Sequence, residues 1–407
     1  MVFWNFLTNF GKKKKLLSFS REILVLKSFI NLILCIYMKR SQKINFKSFW
    51  KVFMLIAVGA YLSTSCSEEA RSRLSAKGNA FGKANHVVVV ADKDVWEGEI
   101  GDTFRFYFSS AYLILPQPEP ILDLKHFTPL DLEKDPIRKE LRTYIYLSDI
   151  VDKSSPTAKL MWEDVGSERV REAKESKGYG NIQRTDKFAL GQLNIYMYGT
   201  DKATVIANIK NNYSTIIKRI RDNDEELLAA NIYAGGESWK ARESLHNSLG
   251  IQLKIPTDYF VTMEDSITNT MWIRKMTKEF SSNIIIHKLP YTDKNQLTYG
   301  GVKALRDSLT KQYVTSEIPG SYMVINDEDL PMFVKNVDFN EFFAVEAKGI
   351  WEMSNDYMGG PFVSYLVHNP TNNELYLLDG FVFAPSKKKR ELMQYLEHIL
   401  SSATFKT

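Results

Sequence analysis

The sequence predicts an α+β fold of two subdomains, with mainly antiparallel sheets packed by helices. Three observations carry that expectation. About 340 residues follow Cys66, more than one hydrophobic core usually holds. Short β-branched and aromatic runs alternate with stretches of helical periodicity along the whole of that length. The only two cysteines, Cys35 and Cys66, lie ahead of it, so neither a disulfide framework nor a cysteine-held metal contributes, and stability must come from apolar packing.

The chain divides by composition. Met38–Glu69, MKRSQKINFKSFWKVFMLIAVGAYLSTSCSEE, has the layout of a lipoprotein signal peptide. Lys39, Arg40, Lys43, Lys47 and Lys51 form the positive segment. Val52–Leu62 is the apolar segment, too short to span a bilayer that needs ~20 residues. Ser63, Thr64 and Ser65 are small residues of the kind accepted before a cut, which would make Cys66 the first mature residue and the site of lipidation. Ser63 stands where an aliphatic residue is usual, with Leu62 one place further back. The competing reading is an ordinary secretory signal followed by a chance cysteine. Residues 1–37 carry Lys12–Lys15 and an apolar run broken by Lys27 and Asn31; they are expected to be a mis-assigned extension upstream of a start at Met38. Residues 67–85 are polar and glycine-bearing and read as a flexible tether.

Charge excludes one class of partner. Eleven basic residues and one acid fall in residues 1–66, leaving 42 bases against 47 acids in residues 67–407. The body is mildly acidic and has no basic stripe to attract a phosphate backbone, so no nucleic-acid partner is expected.

The N-terminal α/β subdomain is expected over 86–248. His86–Ala91 is a continuous apolar run suited to a strand buried on both faces. Asp94 and Glu97 resemble a capping box, and Trp96, Ile100, Phe104 and Phe108 recur on one helical face. Pro116–Pro120 is stiff and extended, because each proline fixes its own φ and restricts its predecessor. Leu141–Val151 and Lys159–Val165 read as strands, Gly166–Asp186 as a charged loop or helix, and Leu190–Tyr198 as a further strand. Asp201 can cap a helix with Val205, Ile209, Tyr213, Ile216 and Ile220 on one face; helix continues to about Ser248, with a break at Gly235-Gly236.

The C-terminal α+β subdomain is expected over 249–407. Ile251–Ile255, Tyr259–Met263, Met271–Lys275 and Asn283–Leu289 are short runs between turn formers, an antiparallel meander. Leu297–Val314 has helical periodicity. Phe342–Trp351, Pro361–His368 and Glu374–Phe383 read as strands, the last two joined by a hairpin-type loop through Asn369–Asn373. Ser386–Leu400 closes the chain as a helix with Leu392, Leu396 and Ile399 on one face.

No catalytic or metal motif stands out. His86, His126, His246, His287, His368 and His398 lack metal-ligand spacing, and no nucleophile elbow or P-loop occurs. Ser308 and Lys311 match S-x-x-K inside a helical stretch without companion elements. Glu97 with Glu99, and Asp327-Glu328-Asp329, are paired acids that helix caps and solvated loops explain more cheaply than catalysis does. The most distinctive stretch is Trp351–Phe362, WEMSNDYMGGPF. Met358-Gly359-Gly360-Pro361 suits a tight turn, and with Trp351, Tyr357 and Phe362 it is the candidate binding loop, where aromatics could stack on a sugar or grip a peptide. A core connection between two strands is the simpler reading of the same residues.

The blocks NHVVVVADKDVWEGEIGD (Asn85–Asp102), LPQPEP (Leu115–Pro120), GSYM (Gly320–Met323), MGGPFVSYLV (Met358–Val367) and LLDGFVFAP (Leu377–Pro385) together resemble an uncharacterised Bacteroidota lipoprotein family, domain of unknown function 4837. The likeness covers nearly all of 85–402. The loose box before Cys66 is similar to those of Bacteroidota lipoproteins, and Ser67-Glu68-Glu69 resembles the surface-export signal of some of them; a plain tether is the equal alternative. The resemblance implies an outer-membrane lipoprotein facing periplasm or cell surface, and it supplies no catalytic residues and no cofactor. The expected function is a non-catalytic binding or scaffolding protein, held to the membrane through Cys66, with an envelope protein or glycan as ligand. The alternative is an envelope hydrolase acting on glycan or peptidoglycan.

Overall fold

In the computed structural model, residues 77–405 are described. The expected anchor at Cys66, the expected signal segment 38–66 and the upstream residues 1–37 lie outside them. The first sheet grows from the apolar run His86–Val90 (β1). Asp123–Phe127 (β2), Thr143–Asp149 (β3), Tyr179–Thr185 (β4) and Leu193–Gly199 (β5) complete it in the order β2-β1-β3-β5-β4. All pairs are parallel except β4 against β5. A parallel sheet needs cover on both faces, and the helices supply it. Lys93–Glu97 (α1) and Glu99–Phe108 (α2) follow β1, and Lys202–Ile232 (α6) follows β5. Ile100, Phe104 and Phe108 of α2, with Val205, Ile209, Ile216 and Ile220 of α6, bury the face formed by Val87, Val89, Ile145, Leu147, Ile195 and Met197. Opposite, Pro129–Lys134 (α3), Pro156–Val165 (α4) and Ser167–Glu175 (α5) cover Val88, Val90, Tyr144, Tyr146 and Tyr196 with Leu132, Met161, Val165 and Val170.

Several expectations are corrected here. Lys159–Val165 is helix, not strand: Ser155 accepts from the Ala158 N–H and Pro156 occupies the first turn, a start signal that outweighs a weak apolar alternation. Gly166, at φ 80°, ends α4, a conformation glycine adopts without strain. The charged stretch after it is α5 followed by strand β4. Asp94 and Glu97 form no capping box; Asp92 precedes α1 without a side-chain cap bond. Its carboxylate instead accepts from the Thr157 N–H (3.1 Å) and hydroxyl (2.7 Å) at the start of α4. Asp201, by contrast, forms a full capping box with Thr204. Residues 77–85, placed in the expected tether, run along the first sheet, where Ala80 N–H donates to Leu190 O at 2.7 Å and Asn79 and Phe81 bridge Leu190 and Leu141.

After Trp239–Leu249 (α7), the short strand Ile251–Gln252 (β6) pairs with Thr404–Phe405 (β15) at the end of the described residues. The second large sheet then begins. Phe260–Asp265 (β7), Thr270–Met276 (β8) and Ser281–Pro290 (β9) form the expected meander, followed by Tyr299–Tyr313 (α8). Met323–Asn326 (β10), Phe333–Phe339 (β11), Phe342–Met353 (β12), Asp356–Asn369 (β13) and Glu374–Phe383 (β14) complete it. The order is β10-β12-β13-β14-β9-β8-β7, with β11 also on β12, and every pair is antiparallel. The expected α+β mixture therefore holds, with the antiparallel character in this second sheet. Its two faces are buried by α8 and by Arg390–Ser401 (α9): Val302 and Leu309 meet Val345, Phe362 and Leu377, while Met393, Leu396 and Leu400 meet Ile284, Tyr376 and Val382.

Helix α9 also ties the two sheets together. Glu119 accepts from the Lys389 and Arg390 N–H groups (2.5 and 3.2 Å), Arg390 pairs with Asp123 (2.6 Å), and Gln394 exchanges amide hydrogen bonds with Asn85 (2.8 and 2.9 Å). Glu397 accepts from the Tyr112 hydroxyl at 2.9 Å, and His398 meets Glu225 at 2.5 Å. No described helix is long and apolar enough to cross a membrane.

Candidate functional site

The stretch expected as a binding loop is not a loop. Met358–Phe362 lies within β13, paired to β12 through Glu352↔Gly359, Trp351↔Gly360, Ile350↔Pro361 and Gly349↔Phe362. The chain turns earlier, at Ser354-Asn355, and an irregularity between Glu352 and Met353 absorbs the mismatch. The glycines serve close approach rather than turning. A Cβ on Gly360 would overlap the Val382 carbonyl oxygen and lie 3.2 Å from Trp351 Nε1, so the indole lies across a position that only glycine leaves open.

The seven residues separate accordingly. Trp351 (3% exposed) and Met358 line one groove. Phe362 is fully buried beneath the Arg306 guanidinium, 3.8 Å from its ring centre. Tyr357 is fully exposed at the hairpin, and Pro361 and Gly360 are buried in the sheet, with Gly359 half-buried beside them.

The groove holding Trp351 and Met358 has a volume of about 100 Å³. Alternation along β8 places Trp272 and Arg274 on one side of that strand, and the ladder sets Arg274 opposite Asn283, and Asn283 opposite Phe381. Phe381 and Phe383 lie 5.8 and 6.3 Å from Trp351 between ring centres, and Phe381 lies 6.4 Å from Trp272. Ser281, Val314, Thr315, Met323 and Met353 complete the lining. The result is an aromatic and methionine-lined recess assembled from six strands and the segment after α8.

Its polar groups are mostly donors. The Arg274 guanidinium stacks 4.5 Å over the Trp272 ring, and its Nε donates to Asn283 Oδ1 at 3.0 Å. Trp272 Nε1 donates to the same oxygen at 3.3 Å. Asn283 Nδ2 is turned back to Ser281 Oγ (3.2 Å) and Phe381 O (3.5 Å). Among the described residues no carboxylate pairs with Arg274, and burial lowers its pKa from the usual arginine range. Trp351 Nε1 is buried without a hydrogen-bond partner among the described residues.

Carboxylates converge elsewhere, in a cleft of about 450 Å³ between the two sheets that includes Tyr112, Arg221, Glu346, Lys348 and Glu397. Lys348 Nζ lies 3.7 Å from Glu346 and 2.8 Å from Glu397, and Lys335 reaches Glu346 at 3.1 Å. Burial, then Glu397, pushes the Tyr112 and Tyr365 hydroxyls well above the usual tyrosine range. Lys348 thus bridges the two carboxylates and occupies the space between them, where a glycosidase must seat the scissile bond. A third hollow, of about 330 Å³, is apolar, with Trp162 and the rim lysines Lys153, Lys159 and Lys174.

The other sequence candidates are accounted for structurally. Ser308 and Lys311 are exposed on α8, with Lys311 Nζ 4.6 Å over the Tyr322 ring. Glu97 pairs with Lys93, Glu99 with Lys202, and Asp327 with Lys303. His126 stacks on Trp96 at 4.9 Å, and His287 Nδ1 meets the Thr270 hydroxyl at 2.9 Å. No group of three His, Cys, Asp or Glu among the described residues could hold a metal ion.

Residues 238–402 match the family model described as "Domain of unknown function (DUF4837)". That match takes in the second large sheet and helix α9. Residues 80–233 match a second model, "Domain of unknown function (DUF8532)". The blocks Gly320–Met323, Met358–Val367 and Leu377–Pro385 therefore belong to the DUF4837 match, while Asn85–Asp102 and Leu115–Pro120 fall in the other. Every groove residue lies within the residues matched by the DUF4837 model. No curated protein matches the chain. Among solved structures, the Ran-binding protein Mog1p of Saccharomyces cerevisiae is similar at 9% identity over 38% of this chain and 90% of its own, with a TM-score of 0.26. LpqN of Mycobacterium tuberculosis, described as involved in cell envelope biogenesis, is 15% identical over 40% of this chain and 88% of its own, TM-score 0.26. A Bacteroides thetaiotaomicron protein is 11% identical over 39% and 46%, TM-score 0.22. At such scores none of these likenesses carries an argument about this chain.

Proposed function

We propose that the chain is a lipid-anchored protein of the cell envelope that binds an envelope ligand and does not transform it. Cys66, behind its basic and apolar segments, is the anchor, and two or three acyl chains supply the hold that one cannot. The observation that carries the binding reading is the groove between Trp272 and Trp351: apolar walls with a few placed polar groups, one of them a buried N–H without a partner. The stretch matched by the DUF4837 model bears the site, and helix α9 connects it to the N-terminal sheet and so to the tethered end. A hydrolase acting on glycan or peptidoglycan is the second reading, favoured by Glu346 and Glu397; the lysine between them argues against it.

The test is a fluorescence titration of the whole protein with a lysozyme digest of peptidoglycan, alongside a search for new reducing ends or amines. Saturable change that Trp272→Ala removes, with no product formed, is expected. Turnover abolished by Glu397→Gln would replace binding with hydrolysis. Metabolic fatty-acid labelling that Cys66→Ala abolishes is expected for the anchor; an unlabelled wild type would remove it.

A further inference from the structure

We infer that the groove takes a free carboxylate on a short apolar stem, the chemistry of a small peptide's C-terminus. This rests on the binding reading above and names its ligand class. The first argument is a count of donors against acceptors. Asn283 Oδ1 is already taken by Arg274 Nε and Trp272 Nε1, Ser281 Oγ accepts from Asn283 Nδ2, whose second contact is Phe381 O, and the Thr315 hydroxyl can donate as well as accept. What remains open is the outer edge of the Arg274 guanidinium, with the unpartnered Trp351 N–H buried beside Gly360. A ligand that completes this set must bring acceptors, and the planar fork of arginine matches the two oxygens of a carboxylate.

The second argument is electrostatic. Arg274 is partly buried on an aromatic face with no carboxylate of the described residues beside it. A cation held out of water without a counter-charge is costly, and an anion entering the groove removes that cost. Its orientation needs no induced change: the stack on Trp272 and the bond to Asn283 already fix the guanidinium plane. The third argument is size and shape. About 100 Å³, walled by Met323, Met353, Met358 and Phe381, admits a small apolar side chain but not a sugar chain, and methionines adapt to irregular stems.

The test uses N-acetyl-Ala-Ala and its C-terminal amide on the whole protein, read by calorimetry and tryptophan fluorescence. The free acid should bind at least roughly tenfold more tightly than the amide, the worth of one charge-assisted pair. Arg274→Gln should make acid and amide equal, and Arg274→Lys should fall between, with thermal unfolding confirming that both variants fold. Equal binding of acid and amide by the wild type would overturn the carboxylate inference and leave the groove as a neutral binding site. No binding of the acid at millimolar concentration would also overturn it, and the peptidoglycan digest would then decide separately whether the groove binds at all.

Discussion

Glu119 sits in the Leu115–Pro120 block, far in sequence from the helix it caps. The residue is 7% exposed, and its carboxylate accepts from the backbone N–H groups of Lys389 and Arg390 at 2.5 and 3.2 Å. Helix α9 has no side-chain cap of its own at that end, so two of its orphan donors depend on this one residue. Glu119→Ala leaves both N–H groups unpaired at buried positions, each worth ~1–3 kcal/mol, and removes a negative charge from a helix N-terminus, worth ~0.3–1 kcal/mol. A loss of about 3 kcal/mol is therefore expected, and about half of that for Glu119→Gln, which keeps one acceptor. Urea unfolding of the whole protein, followed by far-ultraviolet circular dichroism, measures it through the midpoint at constant slope. Because α9 bonds to Asn85, Tyr112, Asp123 and Glu225 of the first half, the alanine variant should also separate the unfolding of the two sheets. A loss below about 0.5 kcal/mol with a single unchanged transition would refute the assignment of α9 as the tie between them.

Three other places in the fold give comparable tests. Arg306 and Asp379 pair at 2.8 Å with neither exposed at all; Asp379→Ala should cost about 3–5 kcal/mol by stranding the cation, and Arg306→Met with Asp379→Leu should recover most of it, both by urea unfolding. Gly360→Ala places a methyl against the Val382 carbonyl and should cost about 2–3 kcal/mol or prevent folding, whereas the exposed Tyr357→Ala on the same hairpin should leave the midpoint unmoved. Burial lowers the His287 pKa from the ordinary value near ~6.5. The unfolded chain then takes up a proton that the folded one resists, so stability present above that value falls as pH drops through it and levels off below the folded pKa. Unfolding midpoints between pH 8 and 5 should show a shallower fall for His287→Gln; parallel curves would contradict it.

How much of this was legible in the sequence depends on locality. Strands β1, β13 and β14 are continuous apolar runs because both their faces are covered, and the runs alone mark them. Strand β2, DLKHF, is an edge, and β11 exposes most of its side chains; neither presents an apolar run to read. Lys159–Val165 misleads because its length suits either state and the deciding signal, Ser155-Pro156, lies ahead of it. In the groove, Trp351 and Met358 are marked by composition. Trp272, Arg274, Asn283 and Phe381 are not, because only the β8–β9–β14 register brings them together. Glycine pairs suggest turns, yet Gly359-Gly360 serves indole packing across two strands, a use that no local pattern reveals.

The most direct test of the account is an indole N–H spectrum of ¹⁵N-labelled protein, with Trp272→Phe and Trp351→Phe assigning the groove signals, during titration with the peptidoglycan digest. Seven tryptophans are present, and Trp96, Trp162 and Trp239, outside the groove, serve as internal controls. The account predicts that Trp272 and Trp351 move, with Trp351 shifting downfield as its unpartnered N–H gains an acceptor, while the three controls stay in place. Movement of Trp162 or Trp239 with Trp272 and Trp351 unchanged would contradict it and place the site elsewhere on the molecule.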